Sequence, residues 1–185
     1  MTYPAYRVEY LLRWPGKKSS LYGYTQVVSK SSGKRYVYHR DGVLSRHPFI
    51  KDSRNSVIIP DSALQPLISF LKTGQNPAHR FTDVANWTDI VKYTVQETAV
   101  SDEDAANAVY SAISRLFVRT LTGSRPAISL LDSVDVLSPD EVYSLYYAIA
   151  PIYRSRWYSA FRSIPDFSEL ANKLDLLASR VSTTL

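Results

Sequence analysis

The sequence predicts a mainly α fold: a bundle of about four to five helices preceded by a basic, extended or β-hairpin N-terminal arm. Three observations predict it. In Ser101–Gly123, Ala105, Ala108, Val109, Ala112, Ile113, Leu116, Phe117 and Leu121 recur at i, i+3, i+4, i+7 spacing, one apolar stripe on a helix. Ser138-Pro139-Asp140-Glu141 joins an N-cap serine, a first-turn proline and a glutamate three residues after the cap. The charge is uneven: residues 1–59 hold eleven Lys/Arg against three acids, a balance of +8, and residues 60–185 balance at −3. The expected division is therefore a basic, Tyr-rich arm over 1–59 and a helical body over 60–185, within one domain.

In chain order, 6–13 and 20–29 are short β-branched and aromatic runs separated by Pro15-Gly16, and they read as strands. Ser31-Ser32-Gly33 marks a turn, residues 34–40 alternate, and Asp41-Gly42 marks another turn. Residues 47–59 read as a loop leading into one more extended piece. A helix starts at Pro60-Asp61-Ser62 and ends at Gly74; Pro66 predicts regular hydrogen bonding only from near Gln65. Val84, Trp87, Ile90, Val91 and Val95 predict a second helix over 82–100. The central helix follows, N-capped by Ser101, with Asp102, Glu103 and Asp104 at the positive end of its dipole and Gly123 as its stop. The helix begun at Ser138 is interrupted by Pro151, and Pro165-Asp166 starts the last one.

Composition excludes several classes. The 185 residues contain no cysteine, so disulfides and thiolate metal sites are excluded. No apolar run approaches the ~20 residues that span a bilayer, and the N-terminus lacks the pattern of a signal peptide. A soluble, intracellular protein without a membrane partner is expected. His39, His47 and His79 lack metal-type spacing. His39-Arg40-Asp41 copies one kinase tripeptide without the motifs that accompany it, and Ser31-Ser32-Gly33-Lys34 lacks the first glycine and final hydroxyl of a phosphate loop. No nucleophile is matched to a base, so neither enzyme activity, cofactor, metal nor small-molecule substrate is expected.

Charge and aromatics coincide in the arm, where seven of the fourteen tyrosines lie. Phosphate binding combined with stacking on bases or sugars asks for that combination; the other reading is a solvated basic surface. The candidate phosphate contacts are Arg7, Arg13, Lys17, Lys18, Lys34 and Arg35, with Arg115 off the stripe of the central helix. RNA is favoured over DNA as the partner. Tyr146, Tyr153, Trp157 and Phe161 crowd the fourth helix more densely than one core face needs, making them candidates for a contact between subunits; a well-filled core is the alternative.

Residues 64–123 also carry a family likeness. Leu64, Pro66, Leu67 and Leu71, then Arg80, Val84 and Asn86, then Asp104, Ala105, Ser111-Ala112-Ile113, Leu116 and Val118 resemble the paired radial helices in the coat proteins of tobacco mosaic virus and its rod-shaped relatives. The genus stays open between these and the helical coats of filamentous archaeal viruses. The resemblance implies a helical fold, RNA held between the two helices, and self-association into a helical polymer. It also implies a phosphate-binding role for Arg80, a place for Asp104 and Ser111 at the ribose and base site, and a place for Asp83 among the acids that repel between subunits.

Two functions follow as expectations. One is a structural virion coat protein that assembles around a viral genome, in the virion and, during assembly, in the host cytoplasm, with no base-reading motif. The other is a small nucleic-acid-binding regulator with a β-rich basic module and a helical dimerisation body.

Overall fold

A long first strand, β1 (Thr2–Leu12), organises the chain. In the computed structural model, residues 1–12, 18–74, 90–120, 123–126 and 131–184 are described. β1 lies inside a four-stranded antiparallel sheet of order β4-β5-β1-β6, where β4 is Ile50–Ser53, β5 is Ser56–Ile59 and β6 is Ile90–Ser101. Tyr6 to Glu9 pair with Ile59 to Ser56 on one side, and Thr2 to Leu11 pair with Ser101 to Lys92 on the other.

Side chains alternate across a strand, so the two faces of β1 serve two cores. Ala5, with Tyr3 beside it, joins Val100 and the helices α3 (Asp102–Arg115), α4 (Pro139–Tyr153), α5 (Trp157–Ser163) and α6 (Ser168–Thr184) in one cluster. Val8 and Tyr10 face the other way, toward Leu21, Val43, Leu44, Val57, Ile59 and the helix α2 (Asp61–Thr73), which supplies Ala63, Leu67, Phe70 and Leu71. Sheet register agrees: Val57 and Ile59, opposite Val8 and Tyr6, belong to the α2 side, while Ile58, opposite Arg7, packs on the bundle side. The sheet is thus a middle layer between α2 and a helical bundle.

This architecture is mixed α/β and corrects the expected mainly helical fold. The largest single difference is at 90–101, where a strand stands in place of the end of the predicted second helix; residues 82–89 lie outside the described residues. Half of β6 is β-branched (Ile90, Val91, Thr94, Val95, Thr98, Val100), and pairing along β1 satisfies one edge of its backbone.

The central helix is shorter than its apolar stripe. Leu116 turns extended (ψ 139°) and is buried, and Phe117–Thr120 (β7) pairs back on Gly123–Pro126 (β8), so Gly123 opens a strand instead of closing a helix. The start is as the sequence implies: the Asp104 backbone N–H donates to Ser101 Oγ at 3.1 Å. α2 begins at Asp61 and carries Pro66 inside it, a full turn earlier than the proline predicts, and Gly74 closes it at φ 70°. Ser138 and Glu141 complete the capping box of α4. That helix includes Pro151 and stops at Tyr153; α5 follows, and Pro165–Phe167 forms a single 3-10 turn before α6.

One side chain ties bundle to sheet. Trp157 is fully buried, and its indole Nε1 donates to the Pro4 carbonyl at 3.0 Å. Pro4 lies beyond the end of the β5 pairing, so this carbonyl has no ladder partner there and the indole takes that place.

Candidate nucleic-acid interface

Between α1 (Lys18–Tyr22) and β4 the chain makes a separate antiparallel hairpin, β2 (Tyr24–Ser29) and β3 (Arg35–Arg40). The register runs from Tyr24 opposite Arg40 to Ser29 opposite Arg35. Its tip is a type of turn the sequence dictates. Gly33 N–H donates to the Lys30 carbonyl and Lys30 N–H to the Lys34 carbonyl, both at 2.9 Å, and Gly33 takes the left-handed φ of 75° that a side chain resists.

The hairpin has two usable properties. Across one face, Tyr24, Gln26 and Val28 lie opposite Arg40, Tyr38 and Tyr36, so three tyrosines share that face; Val27 and Val37 pair on the reverse. Tyr24, Val27, Tyr36, Val37 and Tyr38 are all exposed, Val27 by 57% and Val37 by 56%, so neither face is covered as a core strand would be. Residues 24–40 also contain Lys30, Lys34, Arg35 and Arg40 and no acid. The Lys30 ammonium sits 5.0 Å from the centre of the Tyr36 ring, placing positive charge beside the aromatic face.

The root of the hairpin is hydrogen-bonded and packed into the α2-side core. Val43 and Leu44 N–H groups donate to the carbonyls of Ser20 and Leu21, at 3.0 and 2.9 Å. Ser45 Oγ accepts from Gly42 N–H at 2.8 Å and donates to the Tyr22 carbonyl at 3.2 Å. Leu21, Val43 and Leu44 are buried in the α2-side core, and the Tyr22 and Tyr10 hydroxyls bond each other at 2.8 Å. A firm base carries a projecting two-stranded blade.

The structure distributes the expected site residues widely. Lys34 and Arg35 sit exposed at the hairpin tip. Arg7 lies on the sheet, where it bonds Asp52 and holds that carboxyl below the usual aspartate range. Lys18 opens α1, with a side chain outside the description, and Arg13, Lys17, Arg80 and Asp83 lie outside the described residues. Asp104 is occupied with the cap of α3, accepting from Ser101 Oγ at 2.7 Å. Ser111 is exposed on α3. The Arg115 guanidinium lies over the Phe49 ring, 4.3 Å from its centre, and donates to the His47 carbonyl at 3.4 Å. Arg7, Asp104, Ser111 and Arg115 are therefore not gathered on the hairpin.

The aromatic residues of the fourth helical region point inward. Trp157 and Phe161 are fully buried in the bundle core, with Tyr146 and Tyr153 packed partly buried against it. Phe161 stacks on Phe167, ring centres 4.9 Å apart, and Tyr158 donates to the Ala171 carbonyl at 3.2 Å. Tyr143 and Tyr147 are the exposed aromatics of α4, and the Arg46 guanidinium lies 5.9 Å from the centre of the Tyr147 ring. Tyr24, Lys30, Tyr36 and Tyr38 are not marked out individually by the sequence. The signal was there in the alternation of 34–40, but only the register shows which tyrosines share a face.

Among the described residues, no group of three or more His, Asp or Glu is placed to hold a metal ion, and no helix is long and apolar enough to cross a membrane. The chain matches no protein-family description, no curated protein and no solved structure.

Proposed function

We propose that this protein is a structural nucleic-acid-binding subunit, a virion coat protein that packs against a viral genome, RNA before DNA, and assembles with further copies of itself. The observation that carries the reading is the β2–β3 hairpin, where exposed tyrosines on one face adjoin a basic, acid-free tip on a braced root. Such a blade offers cations to phosphates and π-faces to bases, with no arrangement for reading one base against another. Location in the virion, and in the host cytoplasm during assembly, belongs to the same proposal.

The test is binding of random-sequence single-stranded RNA by fluorescence anisotropy across a salt series, with Lys30, Lys34 and Arg35 changed together to Ala. Three lost phosphate contacts reduce the magnitude of the log–log salt slope by about 2. An unchanged slope would remove the hairpin as the phosphate contact. Negative-stain microscopy of the RNA complex addresses assembly: rods or filaments support a coat. Binding by a discrete small species at every concentration supports instead the regulator, whose evidence is the same hairpin.

A further inference from the structure

The long strand β6 forms one edge of the four-stranded sheet, and we infer that this edge pairs with β6 of a second copy, joining two sheets into one about a two-fold axis. It would supply one contact for the self-association proposed above and rests on that reading for its role in assembly. The geometry itself comes from the sheet.

Backbone parity identifies the free groups. The Tyr10 N–H donates to the Asn55 carbonyl at 2.9 Å, so even-numbered residues of β1 direct their backbone groups to the β5 side. Odd-numbered residues of β1 therefore face β6 and exchange hydrogen bonds with their partners Val100, Thr98, Gln96, Thr94 and Lys92. Pro4, which has no N–H, falls correctly on the side away from β6. The remaining β6 residues, Tyr93, Val95, Glu97 and Ala99, direct N–H and C=O outward, where no further strand is paired among the described residues.

This edge has little of the usual protection. Thr94 to Ala99 are exposed on both faces of the strand, so side-chain cover is absent there as well. From Lys92 to Ser101 the register on β1 is regular, without proline or glycine, and the one lysine is Lys92. Natural edges are blunted by proline, bulges, charged side chains or short length; of these β6 has two charges of opposite sign, Lys92 and Glu97, and an irregularity only at its start, opposite Leu11 and Leu12. The opposite edge, β4, has four residues and a register irregularity between Lys51 and Ser53.

The strand is also complementary to itself. A two-fold axis normal to an antiparallel sheet must place one residue opposite its own copy, since directly opposed side chains share a face. With Val95 on the axis, Tyr93 meets Glu97, Thr94 meets Gln96 and Lys92 meets Thr98. Val95, Tyr93 and Glu97 are the residues with outward backbone groups, giving roughly six new backbone hydrogen bonds. No like charges are opposed, and Lys92 with Glu97 leaves the strand neutral, so two copies meet without repulsion. Val95, 41% exposed in one chain, is covered by its twin. Because this pairing is isologous it closes at two copies, and a longer polymer needs a different second surface.

The experiment is light scattering coupled to size exclusion, on nucleic-acid-free protein at several concentrations and in high salt, so its outcome is independent of RNA binding. The expected mass is twice 20.9 kDa. Val95→Pro removes an outward donor and leaves the β1 ladder intact; Val95→Lys opposes two charges at the axis. Both are expected to elute as monomers with unchanged circular dichroism. If the proline variant fails to fold, the lysine variant decides. A wild-type monomer at every concentration, or a Val95→Lys variant that retains the wild-type mass, overturns the inference. A wild type that is monomeric at every concentration yet binds RNA rejects the edge pairing alone; a wild-type dimer that does not bind RNA rejects the hairpin alone.

Discussion

Lowering the pH from about 7 toward 4 charges His47 in the unfolded chain well before it charges the same residue in the folded protein. His47 lies partly buried beyond the hairpin root, its Nδ1 buried without a hydrogen-bond partner, and the Arg115 guanidinium donates to its carbonyl. Burial pushes its pKa down from 6.5 to about 4. Above 6.5 both states are neutral at this residue and it contributes nothing to the pH dependence. Between 6.5 and about 4 the unfolded state binds the proton and the folded state does not, so stability falls as pH falls. At roughly 1.36 kcal/mol per pH unit the full window is worth at most about 3 kcal/mol. The perturbation is His47→Gln, which removes the titration. The assay is urea unfolding of both proteins at several pH values from about 7 to 4. Asp52, held low by Arg7, is common to both and cancels in the difference. The wild type should lose stability relative to the variant across this window. Parallel curves would refute the buried, neutral His47.

Two local predictions test other parts of the framework. A Cβ on Gly42 would lie 2.3 Å from the Gly23 nitrogen and 2.4 Å from the Leu21 carbonyl oxygen, so Gly42→Ala is expected to cost about 1–3 kcal/mol in thermal unfolding; a neutral effect would show that the two ends of the hairpin do not cross so closely. Ser138→Ala removes the N-cap of α4 and should cost about 1 kcal/mol, with a smaller loss from Ser138→Gly, read as a drop in denaturation midpoint at constant slope.

Local signals were legible where the physics is local. Ser101, Ser138-Pro139-Asp140-Glu141 and Gly74 each mark a helix end that the structure retains, because a cap bonds its own next turn. Strand β6 was illegible for a specific reason. A strand with one covered face alternates apolar and polar residues, but Thr94 to Ala99 are exposed on both faces, and what remained, Ile90, Val91 and Val95, fits a helical spacing equally well. Its β-branched density was the better guide. The end of α3 failed differently: Leu116 is buried as the stripe requires, but it is buried in extended backbone, and burial alone does not report a period. For the candidate site, the turn at Gly33 could be read, whereas the common face of Tyr24, Tyr36 and Tyr38 depends on cross-strand register. The inward course of Trp157 depends on a partner, Pro4, far away in the chain.

The place of β1 between its two neighbours also sets an order of events during synthesis. β1 emerges from the ribosome before either of its partners: Tyr6 to Glu9 wait for Ser56–Ile59, and Thr2 waits for Ser101. At translation rates of ~5–20 residues per second, the second wait is on the order of 5–20 s longer than a hairpin would require. The core shared with α2 can close on β1 while the bundle is still being made; the face that carries Ala5 stays uncovered until α3 to α6 arrive. The nascent chain is thus most exposed to misassociation along a strand that, once finished, is paired on both edges and packed on both faces.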